Sequence, residues 1–314
     1  MIATEPKPKA KYAGAKIDPY DTITEKVITL METKGIAPWR KSWKGSAVDS
    51  AVSISTGKEY SGINSWLLSV TQMMEGYTGR YWGTFKSVKD NGGQIRKGEK
   101  GTMVVFWKWI EVAGKDGKKD SKIPFLRHFS VFHSDQADWP DGLPEKFKPV
   151  ADGTAGLTEF ESVESAEAIA AGYLESKNPP SFGNNGGDRA YYRPSTDHVA
   201  MPLRTAFASA HDYYSVLFHE LGHSTGHKTR LARTSIGDAN HNGLPSYSEE
   251  ELVAEFTACF LCADSGITDT RENSAAYLAN WAKVLKDDKK LIIRAAGRGA
   301  KAAAWIRGIK PTKY

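Results

Sequence analysis

The sequence predicts an α+β chain in two unlike parts: a small α/β unit in front, and a helix-rich unit with a small sheet behind. Three observations predict it. Up to about residue 140, helical patterns alternate with strand-like runs such as TMVVFWKWIEV, residues 102–112. From residue 158 onward, apolar residues recur mostly at helical spacing. Charge divides the chain in the same place. Residues 1–130 carry 22 Lys and Arg against 13 Asp and Glu, whereas residues 131–314 carry 20 against 24.

A chain of 314 residues is long enough for two cores. The expected division is a flexible basic tail over 1–16, a front unit over 17–140, a linker over 141–157 and a rear unit over 158–314. The linker assignment rests on its Pro, Gly and Asp content.

Each element has a local reason. Residues 17–35 read as one helix, capped by Asp21 or Thr22, striped by Val27, Leu30 and Met31, and ended by Gly35. Pro38 and Gly45 make IAPWRKSWKG a loop. GINSWLLSVTQMME, residues 62–75, is a second helix. A short helix follows YWGTF, and NGGQIRKGEKG is a glycine-rich basic turn. The strand over 102–112 returns as FLRHFSVFH, residues 125–133, across the polar tip GKDGKKDSK. Behind the linker, 158–176 is helical, NPPSFGNNGGD (178–188) is loop, and RAYYRP and HVAMP are short strands. Helices then cover 208–225, 248–265, 273–286 and 287–306.

No run of eighteen apolar residues exists, so no membrane partner is expected. The lysines near the N-terminus have no apolar block behind them, which argues against a secretory signal. Cys259 and Cys262 are the only cysteines, so the expected compartment is a reducing cytoplasm. Their C-x-x-C spacing lacks the βαβ context of a redox motif and the second pair of a zinc ribbon. Buried small side chains are the expected role.

The chemistry concentrates in SVLFHELGHSTGH, residues 215–227. On a helix, positions i and i+4 lie about 6 Å apart along the axis and roughly 40° around it. His219 and His223 therefore share a face and can share one ion. Glu220, one step round, can take the proton of a water held there. That is the mechanical sense of H-E-x-x-H: two neutral imidazoles for zinc and a general base beside them. His227 is a poor third ligand, since a continuing helix would carry it about 12 Å along the axis from His219. A cap or surface role suits it better. The better source is SYSEEELVAEFTACFLCA, residues 246–263, where Glu251 and Glu255 stand one turn apart. That pairing favours Glu251 as third ligand and Glu255 as the carboxylate that orients a ligating histidine, as in glutamate zincins. Dipole stabilisation of a helix start accounts for Glu249 and Glu250. Imidazole and carboxylate ligands admit Zn2+ and Mn2+, with zinc favoured by affinity. TDHVAMP, residues 196–202, is the candidate edge strand for an extended peptide. Tyr213, Tyr214, His211 and Tyr247 are alternative oxyanion donors, with nothing to choose between them.

The front unit carries different chemistry. Trp39, Arg40, Lys41, Trp43 and Lys44 alternate rings with cations, and Tyr60, Trp82, Lys86, Arg96, Lys97 and Lys100 continue the mixture. Cations that follow phosphates and rings that stack on unpaired bases make single-stranded nucleic acid the expected partner. No recognition-helix signature or Cys/His finger points to a duplex reader. Against this, part of the aromatic set belongs in a core, notably Trp66 and Phe106.

Several stretches in order carry a family resemblance: APWRKSW, TGKEYSGIN, YWGTFKSVKDNGGQIRKGEKGTMVVFWK, YYRPSTDHVAMP, FHELGHSTGH, EELVAEFTACFLCA and YLANWAKVLKDDKKLI. Together they resemble the ArdC-type antirestriction proteins, over residues 20 to 304. The resemblance implies an N-terminal single-strand-binding domain fused to a zincin-like metallopeptidase domain. It also implies a role in shielding incoming conjugative plasmid DNA from host restriction endonucleases. Residue by residue, it supports His219, His223 and Glu220, and a ligand within Glu250–Glu255. The alternative is a DNA-tethered zinc protease that cuts host restriction enzyme subunits or other DNA-bound proteins.

Overall fold

The structure is a computed structural model that describes residues 18–40, 51–112, 121–147, 159–184, 187–238, 248–267 and 273–310. Helix α1 (Pro19–Lys34) is capped by Asp18, whose carboxylate accepts from the Tyr20 N–H. The expected cap at Asp21 or Thr22 is thus three to four residues late. Pro19 explains the shift: its fixed φ suits the first helical position, where no N–H is needed. Gly35, in the left-handed region at φ 62°, ends the helix.

The front sheet has the order β1-β2-β5-β4. Strands β1 (Val52–Ser53) and β2 (Tyr81–Gly83) are parallel; β2 pairs antiparallel with β5 (Ser121–His133), and β5 with β4 (Thr102–Val112). Helix α2 (Gly62–Glu75) covers the outer edge of β4. The Asn64 side chain donates to the Val105 carbonyl at 2.7 Å and accepts its N–H at 2.8 Å, so this stretch of edge backbone is satisfied. Helix α3 (Phe85–Asp90) and a small ladder of β3 (Gln94–Ile95) with β6 (Ala137–Asp138) complete this part. The expected linker does not begin as free chain. Phe147 is buried with Val52, Tyr81 and Val88, so residues up to 147 pack on the front sheet.

Behind lie α4 (Glu159–Leu174) and a second sheet of order β7-β9-β8, made of β7 (Ser181–Asn184), β8 (Tyr191–Arg193) and β9 (His198–Met201). Strand β7 falls inside the segment expected to be loop. Helices α5 (Ala210–Ser224), α6 (Glu249–Ser265), α7 (Ala275–Asp287) and α8 (Leu291–Ile306) follow.

The front and rear parts share one apolar cluster. Val27, Met31, Trp39 and Trp66 pack with Phe256 of α6, Trp281 of α7 and Ile292 of α8. Phe256 sits between the Trp66 ring, at 5.1 Å between centroids, and the Trp39 ring, at 6.1 Å. Helix α6 is therefore held from both sequence halves. Two glycines let its neighbours approach. A Cβ on Gly222 of α5 would stand 3.0 Å from the Thr257 Cβ, and one on Gly299 of α8 would stand 2.6 Å from the Phe256 Cβ. Cys259 and Cys262 are buried on the same helix.

Candidate metal centre

Helix α5 starts at a Ser209 cap and carries its polar residues on a largely buried body: Leu217, Phe218 and Leu221 are all at most 2% exposed. Its close contact with α6 at Gly222 brings Glu251 to the two histidines. The Nε2 atoms of His219 and His223 face each other at 3.2 Å. Glu251 places one oxygen 3.5 Å from His219 Nε2 and the other 3.6 Å from His223 Nε2. Two ring nitrogens pointed at each other repel through their lone pairs unless a proton or a cation lies between them. Tetrahedral zinc with bonds of about 2.0–2.1 Å separates its ligand atoms by about 3.3–3.4 Å. The three groups fit a divalent ion in kind and in spacing. Glu220, the fourth expected member, is buried on the adjoining face of α5.

The electrostatics agree. Burial opposes a proton on His223, but the carboxylates of Glu250 and Glu251 outweigh it, and the pKa is pushed up to about 10. Burial likewise opposes ionisation of Glu251, yet His219 and His223 hold its carboxyl far below the usual range. Surroundings that hold a proton so firmly between these groups also favour a cation there.

The residue expected to orient a histidine is corrected. Among the described residues, Glu255 takes Arg40, whose Nε donates at 2.9 Å, and the Tyr277 hydroxyl at 3.1 Å. Glu250 is the carboxylate beside His223, with Oε1 3.5 Å from its Nδ1. It is fully buried and accepts from Arg233 Nε at 3.0 Å and from the Ser235 hydroxyl at 2.7 Å. Burial opposes its charge, but Arg233 and His223 lower its pKa to about 2. Arg233 also donates to the carbonyl of Gly222 at 2.9 Å, at the open end of α5. One arginine thus ties the end of the histidine helix to the carboxylate behind His223. From the residues alone Glu250 reads as a helix-dipole partner, because three adjacent glutamates give no phase; the resemblance places it only at the edge of the range that holds a ligand.

His227 is apart from the cluster. Its Nδ1 lies 2.9 Å from the Thr229 hydroxyl and 3.7 Å from Asp197. Asp197, at φ 47°, sits in the β8–β9 turn and binds the fully buried side chain of Arg230. Arg230 also donates to the Ser224 carbonyl at 2.8 Å, fastening this turn to the end of α5.

Residues 17–132 match the family described as the N-terminal domain of anti-restriction factor ArdC, and residues 181–298 match the family of zincin-like metallopeptidases. The metal-free crystal structure of antirestriction ArdC from plasmid R388 is 36% identical, covers 94% of this chain and 100% of its own, and superposes with a TM-score of 0.70. The chain belongs to the ArdC family of antirestriction proteins. The Mn(II)-bound R388 structure matches with a TM-score of 0.68 and 35% identity over 93% of this chain and 98% of that one. Protein y4eC of Sinorhizobium fredii, which is uncharacterized, is 35% identical over 92% of this chain and 91% of its own. A DNA primase TraC of Escherichia coli is 34% identical over 91% of this chain, which spans only 20% of that primase. The zincin-like domain implies a metal, and the order front domain, then zincin-like domain, is that of the ArdC family.

Within this ArdC frame, two further expectations are corrected. HVAMP is not an edge strand: β9 lies between β7 and β8, and those two are the edges. Beside β7 an open cleft of about 450 Å³ is lined by Phe182, Asn184, Leu203, Arg204, Thr205 and Tyr213. Of the four oxyanion candidates, Tyr214 is 1% exposed and its hydroxyl donates to Glu167, Tyr213 and His211 are buried, and Tyr247 lies outside the described residues. The second correction concerns the nucleic-acid residues. Trp39 is 1% exposed and Trp82 fully buried, so neither can stack on a base. Trp39 donates its indole N–H to the Tyr277 hydroxyl at 2.9 Å, and Arg40 lies 3.9 Å over the Tyr277 ring while paired with Glu255. These two residues anchor the loop to the rear helices. Tyr60 is half-buried and packs against the cluster around Trp82. Lys86, Lys97 and Lys100 are exposed; Arg96 pairs with Glu99 at 2.9 Å. Lys41, Trp43 and Lys44 lie outside the described residues. No helix among the described residues is long and apolar enough to cross a membrane.

Proposed function

We propose that this ArdC-family chain binds single-stranded DNA and protects incoming conjugative plasmid DNA from host restriction endonucleases, and that its rear part is a metal-dependent peptidase. The observation that carries the second clause is the convergence of His219, His223 and Glu251 on one point, with Glu220 beside it. His219, His223 and Glu251 would hold a divalent metal, zinc or manganese. Such an ion supplies Lewis-acid polarisation of a peptide carbonyl and acidifies water. Glu220 takes the proton from the attacking water and returns it to the leaving amine. Glu250 and Arg233 keep His223 turned with Nε2 toward the ion. The exposed edge of β7 offers backbone N–H and C=O groups to an extended peptide, whose side chains meet the cleft by Phe182.

The basic balance of residues 1–130 supports a polyanionic partner for the front part. The second reading is that peptidolysis itself is the purpose, directed at restriction enzyme subunits or other DNA-bound proteins. Glu220 favours it, because a site that only stored metal would need no such base. E220Q separates the two. It is expected to keep metal and single-strand binding and to lose peptide cleavage. Full protection by E220Q in a plasmid-transfer assay would reject the proteolytic account, while loss of protection with DNA affinity intact would reject simple coating.

A further inference from the structure

The front sheet carries a ring-and-cation cluster that lies outside the candidate metal centre. Strands β4 and β5 pair with Phe106 opposite Arg127 and Val104 opposite Phe129. These four residues therefore share one face. At the inner end that face is core: Val104 is fully buried and Val131, two residues on from Phe129, is 2% exposed. Further along the same face the cover stops. Phe129 is 39% exposed and Arg127 is exposed. The Phe106 and Phe129 rings stand 5.7 Å apart at 67°, and the Arg127 guanidinium lies 5.6 Å from the Phe129 centroid. The opposite face of the hairpin is engaged by contrast, since Met103, Val105 and Leu126 pack on the shared apolar cluster.

A single exposed phenylalanine is ordinary on a soluble surface. Two adjoining rings with a guanidinium across the ladder are a different arrangement. The solvent face of an antiparallel pair normally carries polar residues. Resting on the reading of the front part as a single-strand binder, we infer that Phe129, Phe106 and Arg127 form the platform on which unpaired bases stack. The rings present flat apolar faces to the bases, and Arg127 meets the adjoining phosphate. Lys97 and Lys100, exposed just before β4, extend positive charge along the strand toward its start. Single-stranded nucleic acid fits this face because both the local cation and the basic excess of residues 1–130 are complementary to phosphate. This platform replaces Trp39 and Trp82, whose faces are filled by protein.

The test is fluorescence anisotropy of the full-length protein with a fluorescein-labelled oligothymidylate, over a range of salt. F129A is expected to weaken binding about tenfold or more, the equivalent of one lost base stack. F129W, which keeps a ring, is expected to bind within about twofold of wild type. R127A is expected to reduce the slope of log affinity against log salt by about 0.7, one phosphate contact on a single strand. Should F129A lose its helical circular dichroism, R127A decides alone, since its side chain is exposed. Binding by F129A and R127A within twofold of wild type, with an unchanged salt slope, would overturn the platform while leaving single-strand binding in place. A wild-type protein with no affinity for the oligonucleotide would overturn the underlying reading and the platform with it.

Discussion

Replacing Trp39 by alanine separates a structural tryptophan from a stacking one. The ring is 1% exposed, its centroid lies 5.6 Å from Trp281 and 6.1 Å from Phe256, and its N–H is bonded to Tyr277. Truncating such a ring removes its buried area and leaves a cavity between α1, α6 and α7, at about 3–5 kcal/mol. A lost base stack would instead remove about 1–3 kcal/mol from binding and almost nothing from folding. Domains of ordinary stability have about 5–15 kcal/mol in hand, so W39A should fold with a much lower denaturation midpoint. Urea titrations of wild type, W39A and W39F, followed by circular dichroism, measure this. W39F keeps a ring in place and should recover most of the loss. If W39A were as stable as wild type within about 1 kcal/mol, yet bound single-stranded DNA far less tightly, the core assignment would be wrong.

Other outcomes follow from the same contacts. E250A leaves the buried Arg233 without its carboxylate and should destabilise the metal-free protein by about 3–5 kcal/mol in a denaturant titration. The milder E250Q should weaken metal affinity about 10–100-fold, because the ring of His223 loses its charged partner; an unchanged affinity would deny Glu250 that role. G222V forces α5 and α6 apart at Thr257 and should lower both stability, by about 1–3 kcal/mol, and metal affinity. H227A should leave the metal stoichiometry unchanged, and loss of the ion in that variant would restore His227 as a ligand.

Elements with a strong local signature were legible from sequence. The helix over 62–75 and the strand over 102–112 have the bounds that their periodicity predicts. The histidine helix was legible because its spacing states a geometry directly. What decided the rest was contact between distant segments. Strand β7 reads as loop because SFGN has little strand character of its own; pairing with β9 makes it a strand. The one-turn spacing of Glu251 and Glu255 points to Glu251, but only the packing of α6 between Gly222 and Gly299 puts Glu250, and not Glu255, behind His223. Trp39 and Arg40 have the composition of a nucleic-acid loop, and no local pattern tells a ring that stacks on bases from one that fills a core. Arg233 is equally silent in sequence: its value lies in reaching both the end of α5 and Glu250.

His219, His223 and Glu251 are expected to hold one divalent ion jointly. Calorimetric titration of metal-stripped protein with zinc and, separately, with manganese, for wild type, E251A and E255Q, tests this. One ion per chain is expected in wild type and E255Q, with no saturable binding in E251A. An E251A protein that still takes up one ion, or a folded wild type that takes up none, would contradict it.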